Sequence, residues 1–191
     1  MEELIKQVLN LDVRLFYFLN RGFVNPVLDF LMPIITNERF ILIPVIIAAI
    51  YFMIKGSRYT RIALLCMIIA VLFADAVAYR LIKPFVGRLR PCDVLPNVHI
   101  LVKAGTYSFP SNHAANMMAL AVVTVFFYKK YAWIVFTIAL IEGFSRIYVG
   151  VHYPLDVFNG YILGVLSGLL VITVYKGIEY EKKRRRARVK E

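Results

Sequence analysis

Apolar residues recur in blocks along nearly the whole chain, and the longest block, Thr60–Ile82, would measure about 34 Å as a straight helix. That length crosses the hydrocarbon core of a bilayer, roughly 30 Å thick. Further blocks follow the same pattern at Phe40–Ile54, His113–Tyr128, Tyr131–Val151 and Leu155–Tyr175. They read as membrane spans rather than as the core of a soluble domain, because 60% of the 191 residues are hydrophobic. The expected fold is therefore all-α, a polytopic transmembrane helix bundle with five clear spans.

The N-terminal part fits this frame less simply. Glu3–Asn20 reads as an amphipathic helix with Leu4, Val8, Leu11, Leu15 and Phe18 on one side. Phe23–Ile35 is a second apolar piece, interrupted by Pro26, Asp29 and Pro33. Residues 1–35 are thus an amphipathic or sixth membrane segment, lying in the interface or making one imperfect crossing. The opening "MEELIKQ" is acidic and mixed, unlike a cleaved signal peptide. No internal repeat or linker divides residues 1–191, which read as one domain.

The net charge of +11 needs no nucleic-acid partner. Its basic residues gather at membrane edges, most heavily in the tail "EKKRRRARVKE" within 177–191. A basic segment directly after a span marks the cytoplasmic side and attracts anionic head groups. If the five spans alternate, the turns "KGSRYTR" (55–61) and "YKK" (128–130) share that side with the tail. The long connection between Lys83 and Asn112, with Pro84, Pro91, Pro96 and Pro110, then meets the Val149–Asp156 turn on the opposite face. Cys66 in a span and Cys92 in a loop read as unpaired, structural residues.

Chemistry-bearing residues concentrate on that second face, within 83–156. The stretch "KPFVGRLRP" places Lys83, Arg88 and Arg90 where a span ends. One such cation would be an ordinary interfacial anchor, but three within eight residues point to an anion site. In "PSNH", Ser111 suits the N-cap of the next span, with His113 in its first turn, where N–H groups and helix dipole favour anions. Alone this could be a capping serine beside an interfacial histidine. In "SRIYVGVHYPLD", Arg146 lies near a span end, where a buried guanidinium is a functional candidate. His152 and Asp156 stand four residues apart, a spacing that lets a carboxylate hold an imidazole N–H. Asp75 and Glu142, acids inside spans, read as partners for arginines such as Arg80 and Arg146, and His99 as a solvated loop residue.

Taken in order, Lys-x6-Arg-Pro, Pro-Ser-x-His and Ser-Arg-x5-His-x3-Asp resemble the type 2 phosphatidic acid phosphatase family of membrane lipid phosphatases. Vanadium-dependent haloperoxidases and glucose-6-phosphatases share the motif set. The resemblance runs from Lys83 to Asp156 and departs at Asn112, where the family usually has glycine; asparagine tolerates unusual backbone angles, so the turn can survive. It implies that His152 is the nucleophile and forms a phosphohistidine, that Asp156 holds its other nitrogen, and that His113 is the general acid. It implies phosphate binding by Lys83, Arg90, Arg146, Ser111 and Asn112, with Arg88 nearby but outside the strict pattern. No cofactor and no metal enter this scheme, and the sequence holds no His-Glu-x-x-His cluster.

The expected activity is thus hydrolysis of a phosphomonoester or pyrophosphate on a lipid head group, at the non-cytoplasmic surface of a bacterial inner membrane. Lipid A phosphate, undecaprenyl pyrophosphate and phosphatidylglycerol phosphate are all candidate substrates. A phosphotransferase of the same family is one alternative, and a non-enzymatic basic membrane scaffold is another. A haloperoxidase fits poorly, since those relatives are soluble and this chain is mostly spans.

Overall fold

In a bilayer no water satisfies the backbone, so each spanning segment must close its own hydrogen bonds, and the helix is the local solution. A computed structural model of the chain describes residues 1–105 and 107–189, with the side chains of 38, 39, 41 and 42 excepted. Its elements are helical: α1 Glu2–Arg21, α2 Pro26–Ile35, α3 Glu38–Lys55, α4 Arg58–Ala76, α5 Lys83–Val86, α6 Pro91–Val94, α7 Asn112–Phe127, α8 Ala132–Tyr148 and α9 Pro154–Arg188. Three stretches are long and apolar enough to cross a membrane: Arg58–Val94, Lys129–Tyr148 and Pro154–Arg188. Pro26–Ile35, Ile43–Lys55 and Asn112–Phe127 are apolar but shorter.

Helix boundaries follow local chemistry. Asn25 caps α2 through its Oδ1, which accepts from the N–H of Val27 and Leu28, and Pro26 takes the first helical position. Ser57 caps α4. The chain leaves α4 through a π-helical segment, Val77–Ile82, and Pro84 explains it. Proline brings no N–H for the carbonyl one turn back and its ring crowds that carbonyl, so the turn widens. Lys83 consequently continues a helix instead of opening a loop.

α7 is the central helix, packed against α4, α8 and α9. Small residues make that packing close. Ala63, Cys66, Ala70 and Ala74 of α4 meet Ala115, Ala119 and Val123 of α7 and Val171 and Ile172 of α9. Gly160, Gly164 and Gly168 recur every fourth residue along α9, facing α7. A Cβ on Gly164 would stand 2.4 Å from the Ala115 carbonyl oxygen and 2.8 Å from Met118 Cβ. Lipid tails are as apolar as leucine, so helices in a bilayer associate through such close van der Waals contact more than through burial of large side chains. The large apolar side chains point outward instead, as at Ile47, Ile50, Leu72, Leu166 and Leu169.

The same inversion governs α1. Leu4, Val8, Leu11, Leu15 and Phe18 share a face as the periodicity suggests, but that face is exposed, while Asp12, Phe16 and Asn20 are buried. Asn20 donates to the carbonyl of Tyr148 (2.7 Å) and accepts from the His99 N–H (2.9 Å), tying α1 to the end of α8. His99 is not the solvated loop residue expected: its Nε2 lies 2.8 Å from Asp29 Oδ1 and its ring packs edge-on against Tyr148. At the other end, α9 stays helical into the basic tail, with Glu179–Lys182 and Glu181–Arg184 pairs along it. The last two residues of the expected tail, 190 and 191, lie outside the described residues.

Replacing Gly164 by valine forces α7 and α9 apart. Overpacking of this kind destabilises by about 1–3 kcal/mol. A lowered thermal unfolding midpoint in detergent, with Gly177→Val unchanged because nothing lies within 4 Å of that glycine, is the expected result.

Candidate active site

Two turns and three helix ends converge on one cavity of about 790 Å3. Lys83, Arg90, Asn112, His113, Arg146 and His152 all line it, so the three motifs meet although Lys83 and His152 are far apart in sequence. Lys103, Asp75, Tyr79 and Tyr107 complete much of the wall, and Thr36 and Asn37 close it from the α2–α3 junction. Ser111, Asp156 and Arg88 do not face the cavity; they lie behind its wall.

The cations are held by backbone carbonyls. Arg90 donates from Nη1 to the Val151 carbonyl (2.9 Å) and from Nε to that of Gly105. Lys83 Nζ donates to the carbonyls of Tyr107 (2.8 Å) and Ser108 (3.3 Å). Arg146, buried at the end of α8, donates to the hydroxyl and carbonyl of Thr36. Neutral carbonyls orient Lys83 and Arg90 without cancelling their charge, which makes the cavity attractive to an anion.

His152 is buried in the turn between α8 and α9, where Gly150 takes the positive φ (90°) that lets the chain reverse. Its Nε2 lies 3.1 Å from Arg90 Nη1 and its Nδ1 lies 3.5 Å from Asp156 Oδ2. A guanidinium can only donate, so Nε2 presents its lone pair to Arg90 and the ring proton sits on Nδ1, toward Asp156. Burial, and then the cations Arg146, Arg90 and Lys83, hold the imidazole neutral well below its ordinary range. A neutral imidazole whose Nε2 lone pair faces a cationic cavity has the form of a nucleophile.

Asp156 is fixed from several sides. It accepts from the Ser108 hydroxyl, from the Tyr153 N–H (2.9 Å) and from Arg88 Nη1 (2.7 Å). Its own carbonyl accepts from the N–H of Ser111 (2.9 Å), which docks the start of α7 on the first turn of α9. Ser111 caps α7 as its position suggests, its Oγ accepting from the Ala114 N–H at 3.5 Å. That hydroxyl is fully buried, so what α7 offers the cavity comes from Asn112 and His113.

Arg88 has a different place from its neighbours. Beyond Asp156 it binds Asp12 of α1 (2.6 Å) and stacks its guanidinium 3.8 Å from the centre of the Tyr153 ring. Asp12 also accepts from the Leu155 N–H (2.9 Å), serving the first turn of α9 from another helix. The sequence offers no local sign of this role, because Asp12 is one of several polar and charged residues along α1. Ser108, Thr36 and Asp12 are the supporting residues that motif reading passes over.

Both carboxylates around Arg88 have fully buried side chains and the arginine is 19% exposed, so this is a buried ionic triad. Removing the cation leaves two buried acids face to face. Breaking a buried pair costs about 3–5 kcal/mol. Arg88→Met should lower stability on that scale, and adding Asp12→Asn should recover part of the loss; thermal unfolding of the single and double variants measures both.

A profile described as the PAP2 superfamily matches residues 59–179. Among curated proteins, a lipid A 4'-phosphatase of Bacteroides thetaiotaomicron is 31% identical over 179 residues, 87% of this chain and 78% of that one. The undecaprenyl-diphosphatase BcrC of Bacillus subtilis is 33% identical over 147 residues, 76% of this chain and 74% of that one. Among solved structures, LpxE of Aquifex aeolicus superposes with a TM-score of 0.69 at 27% identity, covering 85% of this chain and 95% of that one. A PAP2-type phosphatidylglycerolphosphate phosphatase of Bacillus subtilis gives a TM-score of 0.68 at 27% identity, covering 90% and 88%. The chain is an integral membrane protein and belongs to the PAP2 superfamily.

Proposed function

We propose that this PAP2 lipid phosphatase moves a phosphoryl group from a lipid head group to His152 Nε2 and then to water. The observation that carries the reading is the His152 lone pair directed at Arg90, 3.1 Å away, in a cavity ringed by Lys83, Arg90, Arg146 and His113.

The chemistry follows from those positions. A phosphate entering the cavity takes the donors of Lys83, Arg90 and Arg146 on its non-bridging oxygens, assisted by the backbone N–H of Asn112 at the start of α7. The Arg90 donor that rests on Nε2 transfers to a phosphoryl oxygen, which frees the lone pair as phosphorus approaches. The Nε2–P bond forms, the P–O bond to the lipid breaks, and His113 protonates the departing oxygen. The imidazole gains positive character, which Asp156 stabilises through Nδ1–H. Water then gives a proton to His113 and attacks phosphorus; the N–P bond breaks, phosphate leaves and His152 is neutral again. Ser108, Ser111, Arg88 and Asp12 act behind the reacting groups by fixing Asp156 and the helix ends.

Sidedness and substrate belong to the same proposal. The five apolar helices α3, α4, α7, α8 and α9 cross the membrane, and the basic turns at 55–61 and 128–130 lie with the tail on the cytoplasmic side. The cavity then opens at the periplasmic surface of a bacterial inner membrane, where a head group reaches it while acyl or prenyl chains stay in lipid. Relatives named for lipid A, undecaprenyl diphosphate and phosphatidylglycerophosphate support a phosphorylated envelope lipid as substrate.

His152→Ala removes the nucleophile and should lower turnover by at least about 10³-fold, the scale found when a covalent nucleophile is lost. Phosphate release from vesicles measures it, with an unchanged unfolding midpoint as the folding control. In heavy-oxygen water, hydrolysis places one labelled oxygen in each released phosphate. Phosphoryl transfer to another acceptor would place none, and wild-type release by His152→Ala would leave the scaffold reading.

A further inference from the structure

The cavity is not uniformly cationic. Asp75 lies on its wall, and the side-chain amides of Asn112 (2.8 Å) and Asn116 (3.3 Å) both donate to Asp75 Oδ1. The pairing expected for this acid was with a buried arginine; its hydrogen-bond partners are instead two neutral amides. Among the described residues Asp75 makes no salt bridge, so an acid whose hydrogen-bond partners are neutral stands in a cavity otherwise lined by Lys83, Arg90, Lys103 and Arg146.

The amide orientations add to this. A carboxylate accepts, so each NH2 must face Asp75, and each amide oxygen is turned away from it. Asn112 Oδ1 and Asn116 Oδ1 are buried and have no donor among the described residues. The Asp75 carboxylate, held by these two amides, therefore makes a corner of the cavity that accepts hydrogen bonds, with Asn112 on the wall beside it and Asn116 behind. Buried acceptors of this kind call for a donor.

The position of the corner decides what meets it. Asn112 directly precedes His113, and both line the cavity with Asp75. Under the reaction proposed above, on which this inference rests, His113 protonates the departing oxygen, so the corner borders the leaving group and not the transferred phosphoryl. In a diphosphate the leaving group is itself a phosphate, and its negative charge would face Asp75. In a sugar or polyol phosphomonoester the leaving group carries hydroxyl or amino hydrogens next to the departing oxygen.

We propose that the Asp75 carboxylate, oriented by Asn112 and Asn116, forms a leaving-group subsite that selects lipid phosphomonoesters of a hydroxyl- or amino-bearing sugar or polyol and rejects lipid diphosphates. The donors of such a leaving group meet the carboxylate, while a second phosphate meets a like charge. Like-charge juxtaposition is among the strongest ways a site refuses a ligand.

The test compares phosphate release from two lipids in the same vesicles, an acylated glucosamine phosphate and a polyprenyl diphosphate, by wild type and Asp75→Asn. Wild type should favour the sugar phosphate in kcat/KM by about tenfold or more, a size usual for loss of a matched hydroxyl or gain of a like charge. Asp75→Asn keeps the shape and removes the charge. It should raise the diphosphate-to-monoester ratio about tenfold, mainly through KM for the diphosphate. Asn112→Gly, which carries the residue usual in the family, should shift the ratio the same way and serves if Asp75→Asn does not fold. Equal wild-type rates, a wild-type preference for the diphosphate, or a ratio unmoved in the folded variant would overturn the subsite. Phosphate release from neither lipid nor from phosphatidylglycerol phosphate would instead overturn the phosphatase reading beneath it.

Discussion

One carboxylate, that of Asp156, holds together the face on which the cavity opens. It joins the Ser108 strap, the first turn of α9, the Arg88 guanidinium and the imidazole of His152, while its backbone carbonyl anchors the N–H of Ser111. Three stretches of the chain, at Arg88, at 108–111 and at 152–156, thus take their positions from a single residue. Such a concentration of donors is needed because a buried carboxylate is costly unless its lone pairs are occupied. Once they are occupied, the carboxylate becomes a rigid reference against which the proposed nucleophile is oriented. The long reach to Asp12 of α1 extends that reference to the edge of the bundle.

The membrane determines how the rest is built. With lipid outside, large aliphatic side chains gain little by turning inward, and the contact among α4, α7 and α9 is made largely by alanine and glycine. The glycine series of α9 and the alanine series of α4 bring three helices close enough for backbone to touch side chain. That closeness serves the chemistry as well as the packing. It sets the beginning of α7, carrying Asn112 and His113, beside the beginning of α9, carrying Asp156, with no intervening layer of bulky residues.

Much of this was legible in the residues, and the parts that were not share a cause. Block length and hydropathy located α3, α7 and α8 to within a few residues, because an apolar block is a strong local signal, but placed the end of α9 at Tyr175, where the helix runs on to Arg188. Motif spacing picked out Lys83, Arg90, Asn112, His113, Arg146 and His152, which the fold brings to one cavity, together with Ser111 and Asp156, which stand behind its wall. The periodicity of α1 was visible too, but which face turns inward depends on a partner, and Asp12 meets Arg88 from 76 positions away. Nothing local announces such a pairing. Arg88 itself, two residues from Arg90, shares its composition and not its function: one faces the cavity and the other braces its wall. Asp75 likewise looked like a counter-ion, because sequence shows which charges exist in a span and not which neighbours they receive.

The length of α9 has a mechanical meaning. Its 35 residues form one uninterrupted helix of about 52 Å, against a hydrocarbon thickness of roughly 30 Å. Asp156 sits in its first turn and the arginines of the basic tail in its last, so a single rod runs from the carboxylate beside the cavity to a charged handle. The helix is unbroken from Pro154 to Arg188. A tilt imposed on the handle would be carried along the shaft, and the place to accommodate it would be the turn that holds His152.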